Sequence, residues 1–377
     1  MYSWKTVLVT IGLLFGLKVW NPYLIENITW SWFDFLHQQH EIEKVEEIVL
    51  VDIDEKLLEK YGQYPWPRDI YADIMMESSY TNSHVFTQLF KEPDRFDGDA
   101  KFAEGLINRL TVLSAAPTIQ KDTGSAPIVR TSVFGGGEIK DHIWNFSGIA
   151  SPVEMLKQNT YGVGVTVATP SISGTPNFDG TIRSAPLIVS ANEQIYPSVA
   201  LEVLRVFGDH KNYQTRVTPE VGIEWIRMGR AAPIETTPTA DIQIAYWYDF
   251  DRISAADLSE SDLEGKILIW GLTAEGLNNP SSTPVGVMYP HEVQASILQS
   301  VLQEVRIQQS YYLEFLSLVL LLSVLLGMLV MVYKLPTTFA GIVGLGVVGF
   351  QVGGSLYWWS SSLVFFDIFY RFFFVFF

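Results

Sequence analysis

"EEIVLVDIDEKLLEKYGQYPWPRDIYADIM", residues 47–76, decides the fold, because it runs from an apolar strand through a turn into a helix. The segment 47–53 shows little alternation of apolar and polar residues, which predicts a central strand buried on both faces. Ile70, Ile74 and Met75 recur at helical spacing, which predicts a helix behind the turn. A strand followed by a helix is the repeating unit of α/β proteins.

Two carboxylates, Asp52 and Asp54, stand at the end of this strand. Oxygen ligands at such a position suit Ca²⁺ or Mg²⁺. A structural role is the alternative: one of the two caps the following helix or turn, "EKLLEKYG", and pairs with Arg68. The sequence favours the structural role, since no second acidic pair accompanies the first, and it leaves a bound metal open.

The turn "YPWPR", residues 64–68, holds its aromatic residue rigidly. Pro65 and Pro67 fix their own φ angles and push the residues before them into extended conformations. Trp66 is thus either a framework residue or a platform for a ligand, and the framework role is favoured. Arg68 stands at the start of the next helix, where it is expected to grip a carboxylate such as Asp52.

The pattern of the opening segment repeats along the chain. Further strands are predicted at 84–90, 110–117, 241–247 and 266–272, and further helices at 98–110, 198–208 and 290–305. Strands that alternate with helices predict an α/β domain with a mixed, mainly parallel sheet and flanking helices. The helix from residue 290 is expected to run almost unbroken toward residue 333.

Two later segments supply the other candidate site residues. In "NFDGTIRSAPLIV", residues 177–189, Asp179 and Gly180 predict a hairpin turn, and Arg183 either pairs with an acid across the hairpin, the favoured role, or reads an anion. In "GKILIWGLTAEGLNNPSSTPVG", a buried strand enters a glycine-rich loop that contains Thr273. The loop lacks the Lys-Ser/Thr ending of a phosphate loop, but a small ligand would bind at such a place.

Composition excludes several classes of function. A net charge of −16 argues against a nucleic-acid partner, which needs clustered Lys and Arg. The absence of cysteine excludes disulfides and thiolate metal sites. The six histidines are scattered and no Gly-x-Ser-x-Gly motif occurs, so no catalytic residue and no cofactor are expected, and the chain is predicted not to be an enzyme.

Apolar residues concentrate at the two ends of the chain, which predicts membrane segments. Residues 1–24 indicate an uncleaved signal anchor, with a cleaved signal peptide as the alternative. The C-terminal region, 311–377, contains three further apolar stretches at about 312–333, 337–359 and 362–377. About four transmembrane helices in a lipid bilayer are therefore expected, with residues 25–310 as an exported domain and the topology of the last span open.

A resemblance joins these segments. The residues "IVLVDIDEKLLEKYGQYPWPRDIYADIM", "LFKEPDRFDGDAKFAEGL", "DGTIRSAPLIVS", "YPSVALEVLR", "RISAADL" and "LEGKILIWGLTAEGLNNPSSTPVG" follow one another as in the second type of the CHASE sensors. Residues 30–305 resemble this family of bacterial cyclase- and histidine-kinase-associated extracellular sensory domains. There are departures: Thr87 and Gln88 stand where the family commonly has an aspartate, which puts in doubt a binding site shared with Asp52, and Trp270 replaces a smaller residue.

The resemblance implies a periplasmic or extracellular sensory domain of a receptor in the bacterial inner membrane. In the first hypothesis, a ligand or an envelope signal shifts this domain, and the 290–333 helix carries the change to an effector that is expected to lie outside this chain. The alternative is a structural or assembly subunit of a membrane complex, built on the same scaffold. The expected partners are further copies of the chain or membrane proteins, with a small-molecule ligand open. A metal-dependent hydrolase has only Asp52 and Asp54 in its favour.

Overall fold

A computed structural model describes residues 23–79, 81–107, 109–120, 131–168, 171–172, 175–176, 179–260, 263–307 and 337–365. The chain divides into two compact units. One is Glu41–Val305, and the other combines Met1–His40 with Arg306–Phe377. Residues 25–40 and 306–310 of the predicted exported domain therefore belong to the second unit.

The helices alternate with strands as the sequence predicts. The α-helices in the described residues are α1 Tyr23–Gln38, α2 Glu55–Tyr61, α3 Arg68–Glu77, α4 Asp99–Leu106, α5 Glu154–Asn159, α6 Val199–Phe207, α7 Pro290–Leu302 and α8 Thr337–Ser362. Two short 3₁₀ helices cover Ile139–Asp141 and Ala255–Glu260.

The strands of the described residues all lie in the Glu41–Val305 unit. They are β1 Glu43–Ile53, β2 Ser83–Phe86, β3 Thr111–Thr118, β4 Thr131–Phe134, β5 Asn145–Phe146, β6 Gly148–Ala150, β7 Gly162–Val165, β8 Ser171–Ile172, β9 Thr175–Pro176, β10 Ser184–Pro186, β11 Ile188–Ala191, β12 Gln194–Pro197, β13 Tyr213–Thr218, β14 Gly222–Met228, β15 Ile234–Glu235, β16 Asp241–Gln243, β17 Tyr248–Ser254, β18 Ile267–Leu272, β19 Ser281–Thr283 and β20 Gly286–Met288.

A seven-stranded sheet forms the centre of this unit. Its strands lie in the order β17-β1-β18-β2-β3-β6, and β7 also pairs with β3. Every pairing in it is parallel except β3 with β6. The predicted α/β fold with a mixed, mainly parallel sheet is therefore correct for this unit. The carboxyl ends of β17, β1, β18 and β2 meet at one edge of the sheet, as the carboxyl ends of parallel strands do.

One face of the central sheet is covered by α3 and α4 and is apolar. Trp270 of β18 is fully buried and stacks on Phe86 of β2, with 5.0 Å between the ring centroids. Phe86 in turn meets Phe102 of α4 edge to face at 5.4 Å. The indole nitrogen of Trp270 donates a hydrogen bond to His84 Nδ1 at 3.1 Å, so its polar atom is satisfied inside the core.

The helix α7 packs against β1 and β18 and is buried over almost its whole length. It ends at Leu302, and Glu304 takes a left-handed conformation with φ of 50°. A non-glycine residue in this conformation stops a helix. The prediction of an almost unbroken helix from residue 290 is therefore wrong beyond Leu302, and residues 308–333 lie outside the described residues.

The predicted hairpin at residues 177–189 is also wrong. The strand β10 that follows Arg183 pairs antiparallel with β16, and Ser184 lies opposite Gln243. On the other side of the turn, β9 pairs with β8. Asp179 and Gly180 do form a turn, but the strand after it pairs with β16 and not with the strand before the turn. Strand pairing depends on tertiary contacts that the local sequence does not encode.

The second unit contains α1 and α8. The indole nitrogen of Trp32 donates a hydrogen bond to Ser355 Oγ at 3.1 Å. Phe33 and Trp359 meet edge to face at 5.8 Å, and both are buried. Aromatic side chains therefore join the two helices within this unit.

The transmembrane prediction requires correction. A helix that crosses a bilayer needs about 20 consecutive, mainly apolar residues. No helix within the described ranges is long and apolar enough for this, which contradicts the expectation of about four transmembrane helices. Residues 1–22, 312–333 and 366–377 of the predicted spans lie outside the described residues.

Candidate functional site

Asp52 at the carboxyl end of β1 is held from two sides. Arg252 of β17 donates from Nε to Asp52 Oδ2 and from Nη2 to Oδ1, both at 3.0 Å. His291 of α7 lies with Nε2 at 2.9 Å from Oδ1 of the same carboxylate. The sheet register explains the geometry, because Asp52 lies beside Ser254 on β17 and opposite Gly271 on β18.

Glu292 completes this group, which we call the Asp52 cluster: Asp52, Arg252, His291 and Glu292. Arg252 Nη1 donates to Glu292 Oε1, and the other oxygen of Glu292 accepts the backbone N–H of Tyr289. Glu292 thereby caps the first turn of α7, where an anion is favoured by the helix dipole. A single guanidinium thus joins the end of β1 to the start of α7.

Gly271 makes room for the imidazole of His291. His291 is fully buried, and a Cβ at position 271 would lie 2.0 Å from its Nδ1. That separation is far below van der Waals contact, so only glycine fits this place on β18. Within the described part of the chain, Nδ1 has no hydrogen-bond partner. The nitrogen that faces the carboxylate, Nε2, therefore carries the hydrogen and donates it to Asp52.

The electrostatics of the cluster favour an ionised Asp52. Burial alone raises the pKa of its carboxyl, but the hydrogen bonds from His291 and Arg252 and the charge of Arg252 act against burial. Together they hold the pKa of Asp52 below its ordinary value. The ion pairs and hydrogen bonds of the cluster thus connect three elements, β1, β17 and α7.

This pKa shift gives the first testable prediction. A carboxyl with a depressed folded pKa stabilises the fold above its unfolded pKa of about 4, and that contribution disappears as pH falls through the folded value. The difference in free energy of unfolding between the wild type and Asp52→Asn is therefore expected to be constant from pH 5 upward and to shrink below about pH 4. Denaturant titration at several pH values measures it, and a difference that grows on acidification would contradict the assignment.

Asp54 and Thr273 fasten the same edge of the sheet. Asp54 caps α2 by accepting the backbone N–H of Leu57 at 3.1 Å, which confirms the capping role predicted for one of the two aspartates. Its Oδ1 also accepts the hydroxyl of Ser254 at 2.8 Å. The backbone N–H of Thr273 donates to Ile53 O at 3.0 Å. Three predicted site residues, Asp52, Asp54 and Thr273, are therefore brought to one edge.

Arg68 does not pair with Asp52, and that prediction is wrong. Its Nη1 donates to Asp99 Oδ1 at the start of α4, and its Nη2 donates to the carbonyl of Glu92. Its guanidinium also lies over the ring of Phe90, 5.2 Å from the centroid. The side chain lies on the face of the sheet covered by α3 and α4, whereas Asp52 faces α7.

Trp66 is a framework residue, as favoured from the sequence. It is buried, and its indole nitrogen donates to the carbonyl of Gly62 at 2.7 Å. Its ring lies 6.2 Å from that of Tyr71 in α3. Trp66 and Arg68 also line a cleft of about 290 Å³.

Asp179 and Arg183 form a pair of their own, away from the central sheet. Arg183 is 1% exposed and donates to Asp179 from Nη1 at 3.1 Å and from Nη2 at 2.7 Å. Arg183 does pair with an acid, but not across a hairpin as predicted, because Asp179 belongs to the turn four residues earlier in the chain. Burial raises the pKa of Asp179, and the hydrogen bonds from Arg183 and Thr181 outweigh it, so the pKa is lowered.

The two residues that depart from the resemblance, Thr87 and Gln88, are both neutral. Gln88 follows β2 and is buried, and neither of its amide atoms has a hydrogen-bond partner in the described part of the chain. Thr87 donates its hydroxyl to the carbonyl of Trp270 at 2.7 Å. As for metals, no group of three or more His, Asp or Glu side chains among the described residues is arranged to hold an ion.

Arg252, His291 and Glu292 were not predicted as site residues from the sequence. A signal for the last two was present, because Tyr289-Pro290-His291-Glu292 places a proline at the first helical position and an acid at the third, the signature of a helix start. Arg252 lies on β17, a strand that was not predicted because acidic residues interrupt its apolar pattern.

Comparison with known proteins identifies one family. The family model described as CHASE2 domain matches residues 6–333. No curated protein and no solved structure matches the chain. The match confirms the resemblance drawn from the motifs, and it covers the Asp52 cluster and the cleft.

Proposed function

The chain belongs to the CHASE2 domain family, whose members are extracellular sensory domains found in signalling receptors, and we propose that Glu41–Val305 senses a ligand and passes the signal through α7. The sensory role follows from membership of the family, whereas signal transfer through α7 is our proposal for this chain.

The Asp52 cluster carries the proposal. It ties the first turn of α7 to the carboxyl ends of β1 and β17 through charge-assisted hydrogen bonds. The α7 helix ends three residues before the Glu41–Val305 unit does, so it is the last helix before the chain leaves that unit. A ligand that binds more tightly to one arrangement of this edge would shift α7 with it.

The interior of α7 suits such a movement. Its buried side chains include polar ones, and Ser300 accepts the backbone N–H of Ala245 at 2.9 Å. Ser300 also donates to the carbonyl of Ser296. Specific hydrogen bonds of this kind hold a helix in discrete positions, whereas a purely apolar interface tolerates sliding.

The location, the partners and the activity of the domain are also part of our proposal. The domain acts on the outer side of the bacterial inner membrane, in an assembly with further copies of the chain or with partner proteins. It has no catalytic activity of its own and does not bind nucleic acid. The net charge of −16 supports the last point.

Ligand screening with a structural readout tests the proposal. The purified full chain is screened by thermal shift against small metabolites and against Mg²⁺ and Ca²⁺, and each stabilising compound is followed by hydrogen exchange. We expect at least one compound to raise Tm and to change exchange within 290–302. Stabilising compounds that leave 290–302 unchanged would contradict signal transfer through α7. If no compound raises Tm and the chain purifies as a defined complex, the result would favour an assembly subunit.

A further inference from the structure

A cleft of about 290 Å³ lies at the carboxyl edge of the central sheet. One wall comes from the turn 64–68 that links α2 to α3, and the other comes from the loop 89–96 that follows β2. These two loops follow β1 and β2, which are separated in the sheet by β18. Ligands of open α/β sheets bind outside the carboxyl ends of the strands.

The walls of the cleft are largely aromatic. Tyr64 and Trp66 meet edge to face with 5.6 Å between the ring centroids, and Phe90 lines the same space. Phe96 and Leu89 also line it and are 64% and 46% exposed. Large apolar side chains left open beside a cleft favour a ligand with a flat apolar part.

The cleft is less acidic than the chain as a whole. Three cationic and two anionic side chains line it, although the whole chain carries a net charge of −16. They are Arg68, Lys91, Arg95, Glu92 and Asp94. Asp99 offsets the charge of Arg68, so the cleft is close to neutral, and an anion is attracted only where a cation remains without an acidic partner.

Most of these charges are engaged in holding the walls. Arg68 is taken up by Asp99 and by the carbonyl of Glu92. Asp94 Oδ2 accepts the backbone N–H groups of Arg68 and Gly98, both at 2.9 Å. Arg95 is exposed and forms no ion pair within the described residues. Arg95 is therefore the group best placed to meet a ligand's charge.

We propose that this cleft binds a small aromatic carboxylate, with its ring against Tyr64 and Phe96 and its carboxylate on Arg95. The planar fork of arginine suits a carboxylate, which accepts two parallel hydrogen bonds from it. This inference rests on the sensory role proposed above and adds the chemistry of the ligand. The cleft and the first turn of α7 both lie at the carboxyl edge of the central sheet. Strand β1 connects them, because it precedes one wall of the cleft and its Asp52 contacts α7.

Calorimetry with 2-naphthoate and the purified full chain tests the proposal. The matched probe 2-naphthylmethylamine has the same ring and the opposite charge. We expect naphthoate to bind and the amine to bind at least about tenfold more weakly, since only the carboxylate pairs with Arg95. Equal binding of the two probes, or no binding of naphthoate, would overturn the proposal.

Two variants locate the binding, and a third is their control. Arg95→Gln and Phe96→Ala change exposed side chains and are expected to leave Tm unchanged. Each is expected to weaken naphthoate binding about 5- to 10-fold. Arg216→Gln removes another exposed arginine, on β13, and should leave binding unchanged. Equal losses in Arg95→Gln and Arg216→Gln would show attraction by general charge and would contradict the site.

The two proposals fail separately. Naphthoate that binds in the cleft without changing hydrogen exchange in 290–302 would support the cleft and contradict signal transfer through α7. A different compound that changes exchange in 290–302, with no binding of naphthoate, would support the sensory role and contradict the aromatic carboxylate.

Discussion

Replacing Gly271 by alanine is expected to lower the free energy of unfolding by about 3 kcal/mol, although it adds one methyl group. The new Cβ would lie 2.0 Å from His291 Nδ1 and 2.1 Å from Cγ of the same ring. The imidazole is fully buried, so it has no open space to enter, and it can move only by giving up its hydrogen bond to Asp52. Denaturant titration of the full chain measures the loss.

A second background shows whether the imidazole is the cause. In a His291→Gly chain, Gly271→Ala is expected to cost less than half as much, because the three atoms nearest to the new Cβ all belong to the removed side chain. The same cost in both backgrounds would mean that strand β18 itself rejects alanine. In that case the requirement for glycine at position 271 would not depend on the Asp52 cluster.

Arg68→Met is expected to lower the free energy of unfolding by about 3 kcal/mol. Methionine keeps much of the apolar contact with Phe90 but removes the donors to Asp99 and to the carbonyl of Glu92. The side chain of Asp99 is 16% exposed, so its carboxylate is left poorly solvated and without that partner. Naphthoate binding should fall too, because Arg68 joins the two walls of the cleft.

Arg216→Met is the matched control. Arg216 pairs with Glu224 at 3.2 Å, but its side chain is 51% exposed, and exposed pairs contribute less than about 1 kcal/mol. Equal losses of stability in Arg68→Met and Arg216→Met would contradict the importance of the buried pair.

The sequence was sufficient where local chemistry decides the structure. The mainly apolar segment 47–53 lies in the central strand β1, and Ile70, Ile74 and Met75 lie in the helix α3 that their spacing predicts. Asp54 could be read as a cap because capping involves only the next three residues. The two prolines around Trp66 likewise predicted a fixed framework residue.

The sequence was insufficient where partners are far apart along the chain. Asp52 and Arg252 are 200 residues apart, and Asp52 meets His291 and Arg252 meets Glu292 only because β17 and α7 flank β1. Arg68 and Asp52 are close in sequence, which suggested a pair, yet they lie on opposite faces of the sheet. The face of the sheet on which Asp52 lies, and the face that α3 covers, could not be inferred without the strand order.

The buried glutamine after β2 remains of interest. A carboxylate at this buried position would need a cation or a ligand to satisfy its charge, whereas Gln88 is neutral.

Hydrogen exchange in α7 after Asp52→Asn tests the central claim, that the Asp52 cluster ties this helix to the sheet. Asp251→Asn is the control, because it makes the same change on the neighbouring strand β17, at a pair with Lys44 whose side chains are more than half exposed. We expect exchange of the 293–302 amides to speed up about tenfold in Asp52→Asn and to stay at the wild-type rate in Asp251→Asn. Wild-type exchange of these amides in both variants would contradict it.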